Sequence, residues 1–367
     1  MRILVQKYGG SSVSSIDKVR RVADRIAGTV ADGTRLAVVV SAMGNTTNEL
    51  LGLAQQVSAT PARRELDMLL SVGERITMAL LAMALRERGI AAISLTGSQS
   101  GIITDEAHAD ARVVEVRPAR VHTHLERGEV VIVAGFQGVS RAREVTTLGR
   151  GGSDTTAVVL AAALGAEFCE ICSDVDGVWS ADPRRVPDAT RQDALSLDEA
   201  LALSRGGAKV LFEDAVRYAR DHNVAIQTSS TFGPGAGTRL RTRAPRRTAA
   251  ASVTGDPKLH RIDLPSATAR VPDLSGSGLR IRRRCGATIF VDVRNAHGQK
   301  PGTPTAMVTA VGSGLGEAAE VVGRATEALR AAEVQIGLSG HEGDAAWWEV
   351  TLGALDDAVR VVHATLV

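Results

Sequence analysis

The chain is expected to be an α/β protein. It should hold a mainly parallel central sheet covered on both faces, followed by a small ferredoxin-like α+β module. Three observations predict this. Short continuous apolar runs alternate with helical patterns up to about residue 230, as in a sheet buried on both sides. The loops after those runs collect glycine, hydroxyls and charge, where open α/β sheets bind ligands. Beyond about residue 250 the order becomes strand, helix, strand, strand, helix, a ferredoxin-like sequence of elements.

Residues 3–5 form a short apolar strand that runs into Lys7-Tyr8-Gly9-Gly10-Ser11-Ser12. Val13, Ile16, Val19, Val22, Ala23 and Ile26 follow at helical spacings of three and four. A second strand, Leu36–Val40, ends at Ser41-Ala42-Met43-Gly44-Asn45-Thr46-Thr47. Leu66–Leu85 is helical and carries Gly73-Glu74-Arg75. Ala91–Leu95 and Val130–Ala134 are strands, the latter followed by Gly135-Phe136-Gln137-Gly138. Gly149-Arg150-Gly151-Gly152-Ser153-Asp154-Thr155-Thr156 opens an Ala/Val/Leu helix to about Leu164. Phe168–Cys172 is a strand leading to Ser173-Asp174-Val175-Asp176-Gly177.

The texture changes near Phe232-Gly233-Pro234-Gly235. Domain bounds of 1–240, a linker at 241–250 and a module at 251–367 follow. The run Arg239, Arg241, Arg243, Arg246 and Arg247 reads as a solvated linker. In the last module, Ala306–Val311, Val334–Leu338 and Trp347–Leu352 are strands, and Glu317–Arg330 and Leu355–Leu366 are helices. Residues 266–304 show no clear period.

Composition narrows the function. Of 367 residues, 44% are hydrophobic and 23% charged, enough for a sizeable core and too ordered a mixture for disorder. A net charge of +2 argues against a general nucleic-acid binder. No apolar run reaches the ~18 residues of a membrane span, and Met1–Lys7 turns polar too soon for a signal peptide. A cytoplasmic protein is expected. The three cysteines form no disulfide framework. Cys169 and Cys172 have CxxC spacing, but within an apolar strand they read as a buried structural pair.

Five segments carry candidate chemistry. Lys7, Gly9, Gly10 and Ser11 lie where a strand feeds a glycine turn and a helix; such a turn exposes unpaired backbone N–H groups to an anion. It lacks the Walker order, in which lysine follows the glycines. Arg150, Gly151, Gly152, Ser153 and Asp154 place glycines and charge at a helix mouth, suited to closing around a charged ligand or, more simply, to capping. Ser173 and Asp174, with Trp179 and Arg184 beyond, form either a polar turn or a nucleotide loop. Lys209 follows Gly206-Gly207-Ala208. Glu74, in a largely apolar helix, is either a paired glutamate or a buried anion facing an ammonium. The histidines show no metal spacing.

In order, Lys7-Tyr8-Gly9-Gly10-Ser11-Ser12-Val13, Ser41-Ala42-Met43, Gly73-Glu74-Arg75, Gly135-Phe136-Gln137-Gly138, GRGGSDTT at 149–156 and SDVDGVW-ADPR at 173–184 closely resemble the aspartate kinases of the amino-acid kinase superfamily. The resemblance covers about residues 1–240. It implies the amino-acid kinase sandwich and a reaction between ATP and the L-aspartate side-chain carboxylate, with Mg²⁺ on the nucleotide. It places Lys7, Gly9, Gly10, Ser11, Ser173, Asp174, Trp179, Arg184 and Lys209 around ATP. Ser41, Thr47, Glu74, Arg150, Gly151, Gly152 and Ser153 then hold aspartate, and Lys7 and Asp154 are catalytic. No metal ligand is assigned. The C-terminal part resembles ACT modules, small amino-acid-binding units, and implies a homo-oligomer, a dimer through this region.

Two departures stand out. Phe212-Glu213-Asp214 replaces a stretch where the family often has His-Pro or a basic residue. Only the second ACT unit, about 306–367, looks complete; the first starts at Ala251–Gly255 and then lacks its strand-helix-strand body, so lysine and threonine feedback is expected to be weak. Two other readings stay open. One is a sister kinase acting on glutamate, another amino acid, carbamate or a nucleoside monophosphate. The other is a non-catalytic amino-acid sensor.

Overall fold

The computed structural model describes residues 2–367 except 244–248, 273, 275–276, 295, 297–299 and 316–318. Arg246, Arg247 and Glu317, named in the sequence reading, lie outside the described residues, as do Ser275, Gly276 and Ala318. The chain divides into two compact units, Met1–Val178 with Val210–Thr242, and Trp179–Lys209 with Arg243–Val367. The second therefore takes in a stretch that lies inside the range 1–240.

The first unit opens with β1 (Ile3–Tyr8), α1 (Ile16–Val30), β2 (Arg35–Val40) and α2 (Thr46–Val57). Next come α3 (Arg63–Leu70), α4 (Val72–Arg86), β3 (Ala92–Leu95), β4 (Ile102–Thr104), β5 (Val113–Val116) and α5 (Ala119–Glu126). Then follow β6 (Val130–Ala134), β7 (Gln137–Ser140), β8 (Val145–Thr147), α6 (Gly152–Leu164) and β9 (Cys169–Ser173). After β10 (Ala194–Ser196) and α7 (Leu197–Arg205), which belong to the second unit, it closes with α8 (Glu213–Asp221), β11 (Ile226–Ser230) and β12 (Thr238–Arg241).

Strands β11, β9, β1, β2, β6 and β3 lie side by side in that order, all parallel, with β12 antiparallel on β11. A smaller sheet runs β5, β4, β7, β8. Alternation along β1 divides its side chains between two faces. Leu4 and Tyr8 join the core with Val19, Val22, Ala23 and Ile26 of α1 and Leu81, Ala82 and Leu85 of α4. Lys7 points to the opposite face, where α6 packs against β1. Helix α6 is apolar nearly all round, and ten of its residues are buried; such a helix belongs in a core.

Three expectations change. Ile16 starts α1 but is exposed, because Ser15 caps the helix and the apolar stripe begins at Val19. The predicted helix Leu66–Leu85 is two helices broken at Ser71. Taken as one, the stretch Arg63–Arg86 is long and apolar enough to cross a membrane, contrary to the sequence reading. Its buried side chains face the sheet core instead, the mark of a core helix.

The second unit contains a six-stranded sheet in the order β14 (Arg280–Cys285), β15 (Thr288–Asp292), β13 (Ser252–Asp263), β16 (Thr303–Val311), β18 (Ala345–Val350), β17 (Ile336–Glu342). All of its pairings are antiparallel. Helices α9 (Ala319–Ala331) and α10 (Leu355–Leu366) share a core with Val308, Ala310 and Trp348, whose Nε1 donates to Thr326 Oγ1 at 2.9 Å. Trp347, next along β18, packs on the other face with Leu259, Phe290 and Met307. The expected strand-helix-strand-strand-helix order is present here. The stretch without a clear period holds the β14–β15 hairpin, and no helix among its described residues.

Candidate functional site

Register builds the site. Tyr8 is level with Val40 and with Cys172, Val40 with Ala134, and Cys172 with Ser229. The next residues, Gly9, Ser41, Gly135, Ser173 and Ser230, therefore line up along the carboxyl edge of the parallel strands. This is the edge that binds ligands in open α/β sheets.

Lys7 is the last residue of β1 on the α6 face. Its Nζ lies 2.6 Å from Asp154 Oδ1 in the first turn of α6, with the carboxylate side chain 3% exposed. Gly9 lies beside the ammonium: a Cβ there would make an ordinary contact, 3.4 Å from Lys7 Nζ. At Gly10 a Cβ would come within 2.9 Å of the Ala42 carbonyl oxygen, so only glycine lets this turn approach the loop after β2. Ser11 is exposed, and its carbonyl accepts from Lys18 Nζ at 2.8 Å.

Helix α6 starts at Gly151, whose φ of 74° is left-handed, a conformation that glycine adopts at little cost. A Cβ there would overlap Phe212 Cγ at 2.1 Å. Phe212, noted in sequence only as a departure, thus packs on the glycine loop. Ser153 is buried and crowds Gly135, where a Cβ would lie 2.8 Å from Ser153 Oγ. Arg150 is exposed at the mouth of the same loop.

Glu74 sits in the first turn of α4 and is 3% exposed. Its Oε1 accepts from the Ala42 N–H at 3.1 Å, but Oε2 is buried with no hydrogen-bond partner. Burial pushes its pKa from 4.5 to about 7. An orphaned carboxylate oxygen calls for a cationic partner. Ser41 and Thr47 are half-buried on either side of the Ala42 turn, Thr47 within α2.

The other face of β1 is locked by a buried network. Glu170 accepts from Arg25, Gln6 and Ser229 at 2.6, 2.7 and 2.7 Å. Arg25 also donates to the carbonyls of Ser230 and Thr231, and Ser12 bonds Thr231 at 2.6 Å. None of this was picked out from sequence, because the partners of each pair lie 59 or more residues apart. The cysteines behave as expected of a buried structural pair: both are fully buried, and their odd spacing on β9 sends them to opposite faces.

Ser173 ends β9 half-buried, and Asp174 is exposed beyond it. Trp179, Arg184 and Lys209 belong to the second unit. There Trp179 bridges Arg191 and packs on the helical core, Arg184 pairs with Asp182 at 2.9 Å, and Lys209 is exposed. Among the described residues no group of three or more metal-ligating side chains occurs.

A profile of the amino acid kinase family matches residues 2–227. The chain belongs to the amino acid kinase family. Its relatives include the aspartokinase of Mycobacterium tuberculosis, 55% identical over 239 residues, which cover 65% of this chain and 57% of that protein. The aspartokinase of Geobacillus stearothermophilus is 51% identical over 241 residues, 66% of this chain and 59% of its own. The chain thus spans less than two thirds of the length of these relatives. A crystal structure of the aspartate kinase from Synechocystis matches with TM-score 0.61 and 32% identity, covering 99% of this chain and 68% of that one. Escherichia coli aspartokinase III in complex with aspartate and ADP shares the fold over the full length of both chains, with TM-score 0.86 and 22% identity.

Proposed function

We propose that this chain transfers the γ-phosphate of ATP to the side-chain carboxylate of L-aspartate, giving 4-phospho-L-aspartate. The carrying observation is the pairing of Lys7 with Asp154 at the mouth of α6, on the same sheet edge as an orphaned anion at Glu74. One end of that edge suits phosphate and the other suits an ammonium. The relatives named aspartokinase support the same acceptor.

The chemistry follows from the groups. Gly9, Gly10 and the first turn of α6 offer backbone N–H groups and a favourable dipole to phosphate oxygens. Lys7 stabilises charge on the phosphoryl group in flight, and Asp154 holds the lysine in place. Glu74 pairs with the α-ammonium, and Arg150 grips the α-carboxylate. Ser41, Thr47 and Ser153 complete the amino-acid side. The acceptor carboxylate has an ordinary pKa near ~3.9 and is already ionised at neutral pH, so no general base is required. Catalysis is then positioning and electrostatics. With Asp154 engaged by Lys7 and no ligand cluster among the described residues, Mg²⁺ would be held mainly by the nucleotide, where it neutralises phosphate charge. The resemblance adds Ser11, Ser173, Asp174, Trp179, Arg184 and Lys209 on the nucleotide side. We propose in the same way residues 1–240 as the catalytic region, 251–367 as a shortened ACT region, a homodimer through the latter and a cytoplasmic location. An ATP-dependent aspartyl-hydroxamate assay across acidic acceptors tests the reaction. Turnover of aspartate is expected; turnover of glutamate without aspartate would remove the proposal.

A further inference from the structure

We propose that Asp67 is a positioning residue for the acceptor: it ties the helix pair that carries Glu74 to the loop that carries Arg150 and so sets the spacing of the two grips on the amino acid. This rests on the reading of Glu74 and Arg150 given above. Asp67 lies near the end of α3, is 0% exposed, and belongs to no motif in the sequence. A buried carboxylate is costly unless donors compensate it. This one accepts from Thr147 Oγ1 at 2.5 Å, from the Ala109 N–H at 3.0 Å, and pairs with His108 Nδ1 at 2.6 Å.

The three partners belong to separate pieces of chain. Thr147 ends β8, three residues before Arg150. His108 and Ala109 lie in the 105–111 loop, which packs on Gly149: a Cβ there would meet Asp110 Oδ1 at 2.7 Å. The Ala111 N–H donates to the Thr147 carbonyl at 2.9 Å. Ala109 holds a φ of 69°, unfavourable for a residue with a Cβ and sustained where surrounding contacts fix it. On the other side, Ser71 N–H donates to the Asp67 carbonyl at 3.1 Å, and Glu74 follows in the first turn of α4. Gln137 Nε2 donates to the Ser71 carbonyl at 2.8 Å, tying the joint to the smaller sheet. One residue thus joins both ends of the proposed amino-acid cradle, its carboxylate holding the Arg150 side and its main-chain carbonyl the joint before Glu74.

The test compares Asp67→Ala, Asp67→Asn and His108→Gln in the full chain, by amide hydrogen exchange over residues 147–152 and by Michaelis constants for aspartate and ATP. Asp67→Ala is expected to speed exchange in that loop and raise KM for aspartate about tenfold, with KM for ATP within about twofold. Asp67→Asn keeps acceptors for Thr147 and Ala109 and should recover most of the loss, and His108→Gln should shift the aspartate constant about threefold. If Asp67→Ala does not fold, His108→Gln carries the comparison, with Asp67→Asn as the near-wild-type control. Unchanged exchange in the folded variants overturns the clamp, and an equal rise in both Michaelis constants overturns its selectivity for the acceptor. A wild-type chain that ignores aspartate sinks the proposed reaction, while the exchange measurement still decides whether Asp67 holds the loop.

Discussion

Two residues carry the proposed chemistry. Removing the Lys7 ammonium with Lys7→Ala should lower kcat about 10²–10³-fold and also lower the thermal midpoint, because it leaves the buried Asp154 carboxylate without its partner. A variant with near wild-type kcat would make the Lys7–Asp154 pair purely structural. Glu74 gives a prediction with a sign. Its folded pKa is raised from 4.5 to about 7, so between those values the folded protein holds a proton that the unfolded chain has released. Stability therefore falls as pH rises through that window. Glu74→Gln should stabilise the protein at pH 8 by on the order of 2 kcal/mol and give no gain near pH 4, as read by thermal melts at both pH values. In the wild type the ammonium of aspartate should bind better as Glu74 ionises, so KM for aspartate should drop from pH 6 to pH 8; in Glu74→Gln that slope should vanish. A flat profile in the wild type would separate Glu74 from the acceptor.

At the scale of elements, the start of α6 is a tight joint. Gly151 combines a left-handed φ with a would-be Cβ 2.1 Å from Phe212 Cγ. Gly151→Ala should destabilise by about 1–3 kcal/mol and weaken aspartate binding; adding Phe212→Ala should restore little of the stability, because it removes the ring but leaves the Cβ of residue 212 at 2.4 Å from the new methyl and the backbone strain in place. Chemical denaturation of both variants checks this, and a Gly151→Ala protein as stable as wild type would mean that the loop yields freely. The main strands were legible because each is an unbroken apolar run, and α6 because glycine and a polar turn precede an apolar helix. The break between α3 and α4 was not, since Ser71 carries neither proline nor glycine to mark it. Strand β14 was hidden for a different reason. It reads Arg280-Ile281-Arg282-Arg283-Arg284-Cys285, and its arginines are satisfied by partners that only the fold supplies: Arg282 pairs with Asp292 at 2.6 Å, and Arg283 lies 4.8 Å over the Trp347 ring. Hydrophobic period cannot detect a strand held by ion pairs and a cation–π contact. Asp67 and Glu170 escaped notice likewise, because a buried carboxylate is recognised by its donors, which lie far away in sequence.

At the scale of the whole molecule, the question is regulation. The resemblance that names the region implies effector sites between two complete ACT units. The described residues between Asp263 and Thr303 supply a hairpin added to the sheet and no helix. A coupling of ~1–3 kcal/mol needs a pocket that differs between two states, and one complete unit offers no second half. Initial rates should therefore be insensitive, or nearly so, to lysine, to threonine and to both together. Inhibition by sub-millimolar effector would show that the hairpin unit builds a pocket by other means.

The arrangement of the thiols has a practical consequence. Cys169 and Cys172 are sealed on opposite faces of β9, and burial drives both thiols upward, Cys172 to about 12. Only Cys285, at the end of β14, is partly open to solvent. At pH 8 an alkylating reagent should therefore take up one equivalent per folded chain and three after denaturation, counted by intact mass. That single handle sits on the hairpin added to the second unit, so a fluorophore attached there reports on this unit and leaves the residues of the proposed site unmodified.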